Sequence, residues 1–89
     1  MTRKYLITGR VQGVGFRYFV LRQAGSLGLA GWTRNLPNGA VEVVARGGEE
    51  GLSALEAALA RGPSHARVEN VEKSQISDDL ADVNGFEIR

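Results

Sequence analysis

The stretch Tyr5-Leu6-Ile7-Thr8-Gly9-Arg10-Val11-Gln12-Gly13-Val14-Gly15-Phe16-Arg17-Tyr18-Phe19-Val20 changes period in its middle. Tyr5–Val11 is rich in β-branched and aromatic side chains, which fit a pleated, half-buried surface and predict a strand. Gly13 and Gly15 end that strand. From Phe16 the spacing is helical: Phe16, Phe19, Val20, Ala24 and Leu27 fall on one face of a helix. Gly25 weakens the helix slightly, and Gly28 stands where a left-handed C-terminal cap belongs.

Downstream, Ala30–Asn35 predicts a second strand and Val41–Arg46 a third. Between them, Leu36-Pro37-Asn38-Gly39 carries Pro followed by Asn-Gly, a hairpin signal. Gly47-Gly48 breaks the chain again. Leu52, Leu55, Ala58 and Leu59 then mark a second amphipathic helix, opened by Glu49-Glu50 and stopped by Gly62-Pro63. Ala66–Ile76 contains a fourth strand, residues 78–84 a polar loop, and Gly85–Arg89 a short last strand with Phe86 and Ile88 on one side. The order is β-α-β-β-α-β plus a short extra strand, spanning residues 1–89 as one domain. This predicts the α+β class: a ferredoxin-like sandwich, mainly antiparallel, with two helices on one face. Strands joined through a helix run parallel with a right-handed crossover. The ends of the first two strands, and with them Gln12–Arg17 and Asn35, are thus expected at one edge. The acidic start of the second helix is expected at the other.

With 89 residues and 9.6 kDa, scaling gives roughly 5,100 Å² of folded surface against about 13,900 Å² extended, enough for one core. Apolar residues at 43% and charged residues at 24% exclude disorder as the default. The chain has no Cys, which removes disulfides and thiolate metal sites, and its single His65 makes a His-based triad or zinc site improbable. No apolar run approaches a membrane span, and no signal-peptide core is present. A cytoplasmic protein without membrane association is expected. The net charge of +1 hides a split. Residues 1–46 carry seven basic side chains against Glu42 alone, a net of +6; residues 47–89 carry four against nine acids, a net of −5. A basic half fits an anionic partner, and it also fits two halves that neutralise each other on folding.

The chemistry concentrates in Gln12-Gly13-Val14-Gly15-Phe16-Arg17. Two glycines admit backbone conformations closed to other residues and let a ligand approach the main chain. The amides of the loop and first helical turn are orphan donors assisted by the helix dipole, an arrangement suited to anions. Arg17 would add a bidentate, permanently charged phosphate contact. The segment is no dinucleotide fingerprint, since the third Gly and the later acid are missing, and no P-loop. Read locally, it fits an anion cradle and a plain strand-to-helix turn with a solvated Arg17 equally well.

Gly9-Arg10-Val11-Gln12-Gly13-Val14-Gly15-Phe16-Arg17 resembles the motif of the acylphosphatases. Ala24, Leu27-Gly28-Leu29, Gly31-Trp32, Arg34-Asn35, Asn38-Gly39-Ala40-Val41-Glu42, Gly47 and Gly62-Pro63 extend the likeness in register to Phe86-Glu87-Ile88-Arg89. Thr33, where Val is common, and the ending at Arg89 depart from the pattern. The resemblance implies hydrolysis of the carboxyl-phosphate bond of acyl phosphates. It places the essential Arg at Arg17, the essential Asn at Asn35, and a phosphate cradle at Gln12, Gly13, Val14, Gly15, Phe16 and Arg17. It further implies a small-molecule acyl phosphate as substrate, inorganic phosphate as product and inhibitor, and a monomer needing neither cofactor nor metal. A carbamoyl-phosphate-directed relative and a non-catalytic phosphate-binding module of the same fold are the alternatives.

Other residues read more plainly. Without the resemblance Asn35 is a strand-end residue before a turn. Trp32, Phe19, Leu27 and Leu29 are core or near-core, Arg34 a surface charge, and His65 a loop residue. Asp78, Asp79 and Asp82 do not match a calcium loop and read as a solvated turn. The same element order occurs in RNA-recognition domains, but Gly15-Phe16-Arg17-Tyr18-Phe19 opens a helix, and Val41–Arg46 offers no aromatic platform for bases. Nucleic acid is not an expected partner.

Overall fold

The computed structural model describes residues 1–81 and 83–89, with the main chain alone at 80 and 81. Asp82, placed in a solvated turn from sequence, lies outside the described residues. Eight elements follow in order: β1 (Thr2–Arg10), α1 (Phe16–Ser26), β2 (Ala30–Asn35), β3 (Val41–Arg46), α2 (Glu49–Arg61), β4 (Arg67–Ile76), a 3₁₀ turn (Asp78–Ala81) and β5 (Phe86–Ile88). The fold is the ferredoxin-like α+β sandwich. Its accessible surface, 5025 Å², is close to the scaling expectation for a chain of this mass.

The sheet order is β4-β1-β3-β2-β5. β1 is antiparallel to both of its neighbours, β3 and β4, and β2 is antiparallel to β3. β1 and β2 therefore run the same way with β3 between them, and their C-terminal ends share one edge. At the opposite edge the Gly47 N–H donates to the Met1 carbonyl at 3.0 Å, holding the start of α2 there. β1 begins three residues before the expected Tyr5, because Thr2 pairs with both Arg46 and Ile76. Its ladder ends at Arg10, one residue short of Val11.

Odd-numbered positions of β1 face the helices. Tyr5 and Ile7 join Val41, Val43 and Ala45 of β3, Phe16, Val20 and Ala24 of α1, and Leu52, Leu55 and Leu59 of α2 in one core. Leu29 is buried in it, and Phe19 and Leu27 pack on its border. Trp32 does not join them. It pairs with Val44 on the other face of the sheet, between the Arg34 and Arg89 guanidinium groups at 5.2 and 4.8 Å from its ring. The strand alternation puts Gly31, Thr33 and Asn35 on the helix side and Trp32 on the far side. Gly31 is forced by this packing: at φ +145° its Cβ would collide with the Val44 carbonyl oxygen.

The expected helix stops hold. Gly28 takes φ +69° after α1, and Gly62 φ +68° after α2. The 3₁₀ turn is less free than a solvated loop, since the buried Thr2 hydroxyl donates to Asp78 Oδ1 at 2.7 Å. No described helix is long and apolar enough to cross a membrane.

Candidate active site

Two loops meet at the shared edge. After β1 the chain turns through Gly13 and Gly15 at φ +74° and +76°. A Cβ at either position would meet open space, so the left-handed backbone rather than crowding is what favours glycine here. Gly15 is the N-cap of α1 and offers no side-chain cap. Its carbonyl accepts the Phe19 N–H at 3.0 Å, while the N–H groups of the first turn before Phe19 point out of the helix end. No acidic residue sits in that turn. α2 differs: Glu49 and Glu50 occupy its first turn and neutralise its dipole. Of the two α-helices, α1 is the one whose N-terminal end keeps its positive potential for a ligand.

The second loop is the β2–β3 turn. The Leu36 N–H donates to the Ala40 carbonyl at 2.8 Å, the Gly39 N–H to the Leu36 carbonyl at 3.1 Å, and the Ala40 N–H to Asn38 Oδ1 at 3.0 Å. Gln12 joins the two loops: its Nε2 donates to the carbonyls of Leu36 at 2.8 Å and Ala40 at 2.9 Å. The side-chain amide donors of Gln12 are thus spent on the hairpin turn next to Asn35.

Between the loops lies a cleft of about 130 Å³ lined by Val11, Gly13, Gly15, Phe16, Arg17, Tyr18, Asn35 and Ile88. Arg17 and Asn35, eighteen positions apart in sequence, face the same small volume. Both are half-buried. Arg17 has no ion-pair or hydrogen-bond partner among the described residues. An unpaired guanidinium beside a helix N-terminus with open N–H groups is a site for a tetrahedral oxyanion. Among the described residues, no group of three or more His, Asp or Glu side chains is placed to hold a metal. Of the residues assigned to the cradle, Gly13, Gly15, Phe16 and Arg17 line the cleft, whereas Gln12 and Val14 do not.

A family model described as Acylphosphatase matches residues 3–88. The chain belongs to the acylphosphatase family. It is 50% identical over 86 residues to the acylphosphatase of Synechococcus sp. (strain WH7803), covering 97% of this chain and 84% of that one. To the acylphosphatase of Pseudomonas aeruginosa it is 49% identical over 83 residues, covering 93% and 89%. The crystal structure of acylphosphatase from Bacillus subtilis superposes with a TM-score of 0.92 at 36% identity, over 99% of this chain and 97% of that one.

Two features of this acylphosphatase-family cleft escape a reading of the sequence. Ile88 forms part of the wall because β5 adds to β2 in parallel, with Thr33 opposite Ile88, and the Arg89 N–H donates to the Thr33 carbonyl at 2.8 Å. The grouping of Phe86 with Ile88 signals a strand but not its register. Gln12 is assigned to the phosphate cradle from the sequence, and only the placement of the hairpin shows that its amide holds the Leu36 and Ala40 carbonyls. Titration behaviour is perturbed elsewhere, at the β1–α2 contact. Burial tends to raise Glu56, but hydrogen bonds from Tyr5, Lys73 and Arg3 outweigh it, and the carboxyl lies below its ordinary range. Burial and the neighbouring Glu56 raise the Tyr5 phenol well above its usual value.

Proposed function

We propose that this chain hydrolyses acyl phosphates in the cleft between the 12–17 loop and Asn35. Arg17 and the main-chain N–H groups of Gly13–Arg17 hold the phosphoryl oxygens, and Gln12 keeps the hairpin in place behind them. Asn35, whose amide both donates and accepts, orients a water molecule toward phosphorus. The water oxygen bonds to phosphorus as the bond from phosphorus to the acyl oxygen breaks. The carboxylate leaves with that electron pair, and the water proton passes to a phosphoryl oxygen of the substrate. Asn cannot act as a base at ordinary pH, and a carboxylate leaves without strong acid assistance. Positioning and charge stabilisation are then the main tasks, as in phosphoryl transfer generally.

The observation that carries this reading is the convergence of Arg17 and Asn35 on one cleft at an uncapped, unneutralised helix N-terminus. In this reading the active unit is the monomer. Inorganic phosphate, the product, competes for the same cradle. The reading also makes the protein a cytoplasmic enzyme that uses no cofactor.

The position of attack is checked by turnover of benzoyl phosphate in heavy-oxygen water. Label is expected in phosphate and none in benzoate. Label in benzoate would mean attack at the carbonyl carbon, and Asn35 would have no water to orient toward phosphorus.

A further inference from the structure

A second groove, of about 440 Å³, adjoins the first. The two share Gly15 and Tyr18. It runs along α1 past Phe19, Arg22 and Gln23 and is also lined by the Gly62-Pro63-Ser64 turn. Helical geometry explains the grouping, since Tyr18 and Arg22 are one turn apart, as are Gly15 and Phe19, and Phe19 and Gln23. Rings and Pro63 make its sides, and Tyr18 is left 67% exposed although large and apolar. Arg22 is exposed and has no partner among the described residues.

A substrate with its phosphoryl group on the Gly13–Arg17 loop must send its acyl part somewhere, and this groove borders that site at Gly15 and Tyr18. Gly15 and Arg22 are about 10 Å apart along the helix axis. Long helical side chains lean toward the N-terminus, which lets the Arg22 charge reach to roughly 6–8 Å from the cradle along the helix axis. That is the span of an extended acyl phosphate of about five carbons.

The geometry points to acyl phosphates whose acyl group ends in a second anion, with Arg22 as the residue that selects them. The groove supplies apolar sides for the methylene spacer, and Arg22, with Gln23 and Ser64 as neutral polar neighbours, receives the distal carboxylate. This rests on the acyl phosphate reading of the main cleft and names the substrate class within it.

The test compares glutaryl phosphate with pentanoyl phosphate, equal in carbon number and differing in the distal charge. Measured in about 0.15 M salt, where charges farther apart than about 8 Å are screened, the wild type is expected to favour the glutaryl compound in kcat/KM. Arg22→Gln is expected to lower that preference about fivefold or more, and Arg22→Glu to reverse it, while Arg22→Lys restores part of it. A shift in this ratio is not produced by a general loss of folded protein, which lowers both rates together. Equal hydrolysis of both compounds, or a preference that survives Arg22→Glu, overturns the assignment of Arg22 and leaves the main cleft standing. Failure to hydrolyse either compound overturns both.

Discussion

Gln12 shows how a residue can matter to catalysis without facing substrate. Two hydrogen bonds from one amide fix the β2–β3 turn against the β1–α1 loop, and the turn begins one residue after Asn35. Gln12→Leu is expected to cost about 1–2 kcal/mol of stability. It should also lower kcat about ten- to a hundredfold by loosening Asn35 relative to Arg17. Urea denaturation and steady-state kinetics check the two effects together. Lost stability with unchanged kcat would make Gln12 a purely structural tie. The two principal side chains were open to different kinds of reading. The Gly13 and Gly15 turn and the helical period after it place Arg17 at a helix start from local physics alone. Asn35 carries no local signal, being one polar residue at a strand end, and only the family resemblance singles it out. Ile88 could be read as a strand residue but not as part of the cleft wall, because that place depends on the parallel pairing of β5 with β2.

The elements were legible where periodicity and stop residues agree. α1, β2, β3 and α2 lie where the spacing and the glycines put them, and boundaries drifted at β1, whose ends are set by ladder partners rather than by its own composition. Trp32 misleads for a related reason. Its apolar bulk suggests core, yet the alternation along β2 assigns the core face to Gly31, Thr33 and Asn35. One inter-element contact gives a pH dependence. Arg3 Nη1 donates to Glu56 Oε2 at 2.6 Å, the Tyr5 hydroxyl to the same oxygen at 2.8 Å, and Lys73 Nζ to Oε1 at 3.1 Å. These bonds favour the ionised carboxylate, so its folded pKa lies below the unfolded value. The stabilisation is present above the ordinary Glu range near pH 4.5 and is lost as pH falls through the depressed folded value. Glu56→Gln is therefore expected to flatten the loss of stability on acidification below that range. Denaturation midpoints measured across the acid limb check this, and an unchanged slope would place the acid sensitivity elsewhere.

Across the whole molecule the fold partly neutralises the split charge of the sequence and leaves a basic edge built from both halves. Arg3 bridges the halves through Glu49 and Glu56, and Lys4 and Arg34 share Glu42. Arg10 and Arg17 at the end of β1 and start of α1, Arg61 at the end of α2, and Arg67 opposite Arg10 gather at the cleft edge. Glu49 and Glu50 at the start of α2 lie at the other. Such a field draws anions toward the cleft, so kcat/KM for an acyl phosphate is expected to fall as ionic strength rises while kcat changes little. A salt-independent kcat/KM would show that the edge charges do not steer substrate. The roles of Arg17 and Asn35 are tested most directly by hydrolysis of benzoyl phosphate with a chelator present, comparing wild type, Arg17→Ala and Asn35→Ala, each shown to be folded by circular dichroism. Rapid wild-type turnover is expected, with kcat lowered by about 10²–10³ or more in both variants. Inhibition by inorganic phosphate should be weakened in Arg17→Ala and nearly unchanged in Asn35→Ala. A folded Arg17→Ala that keeps more than about a tenth of the wild-type rate would contradict the placement of the chemistry in this cleft.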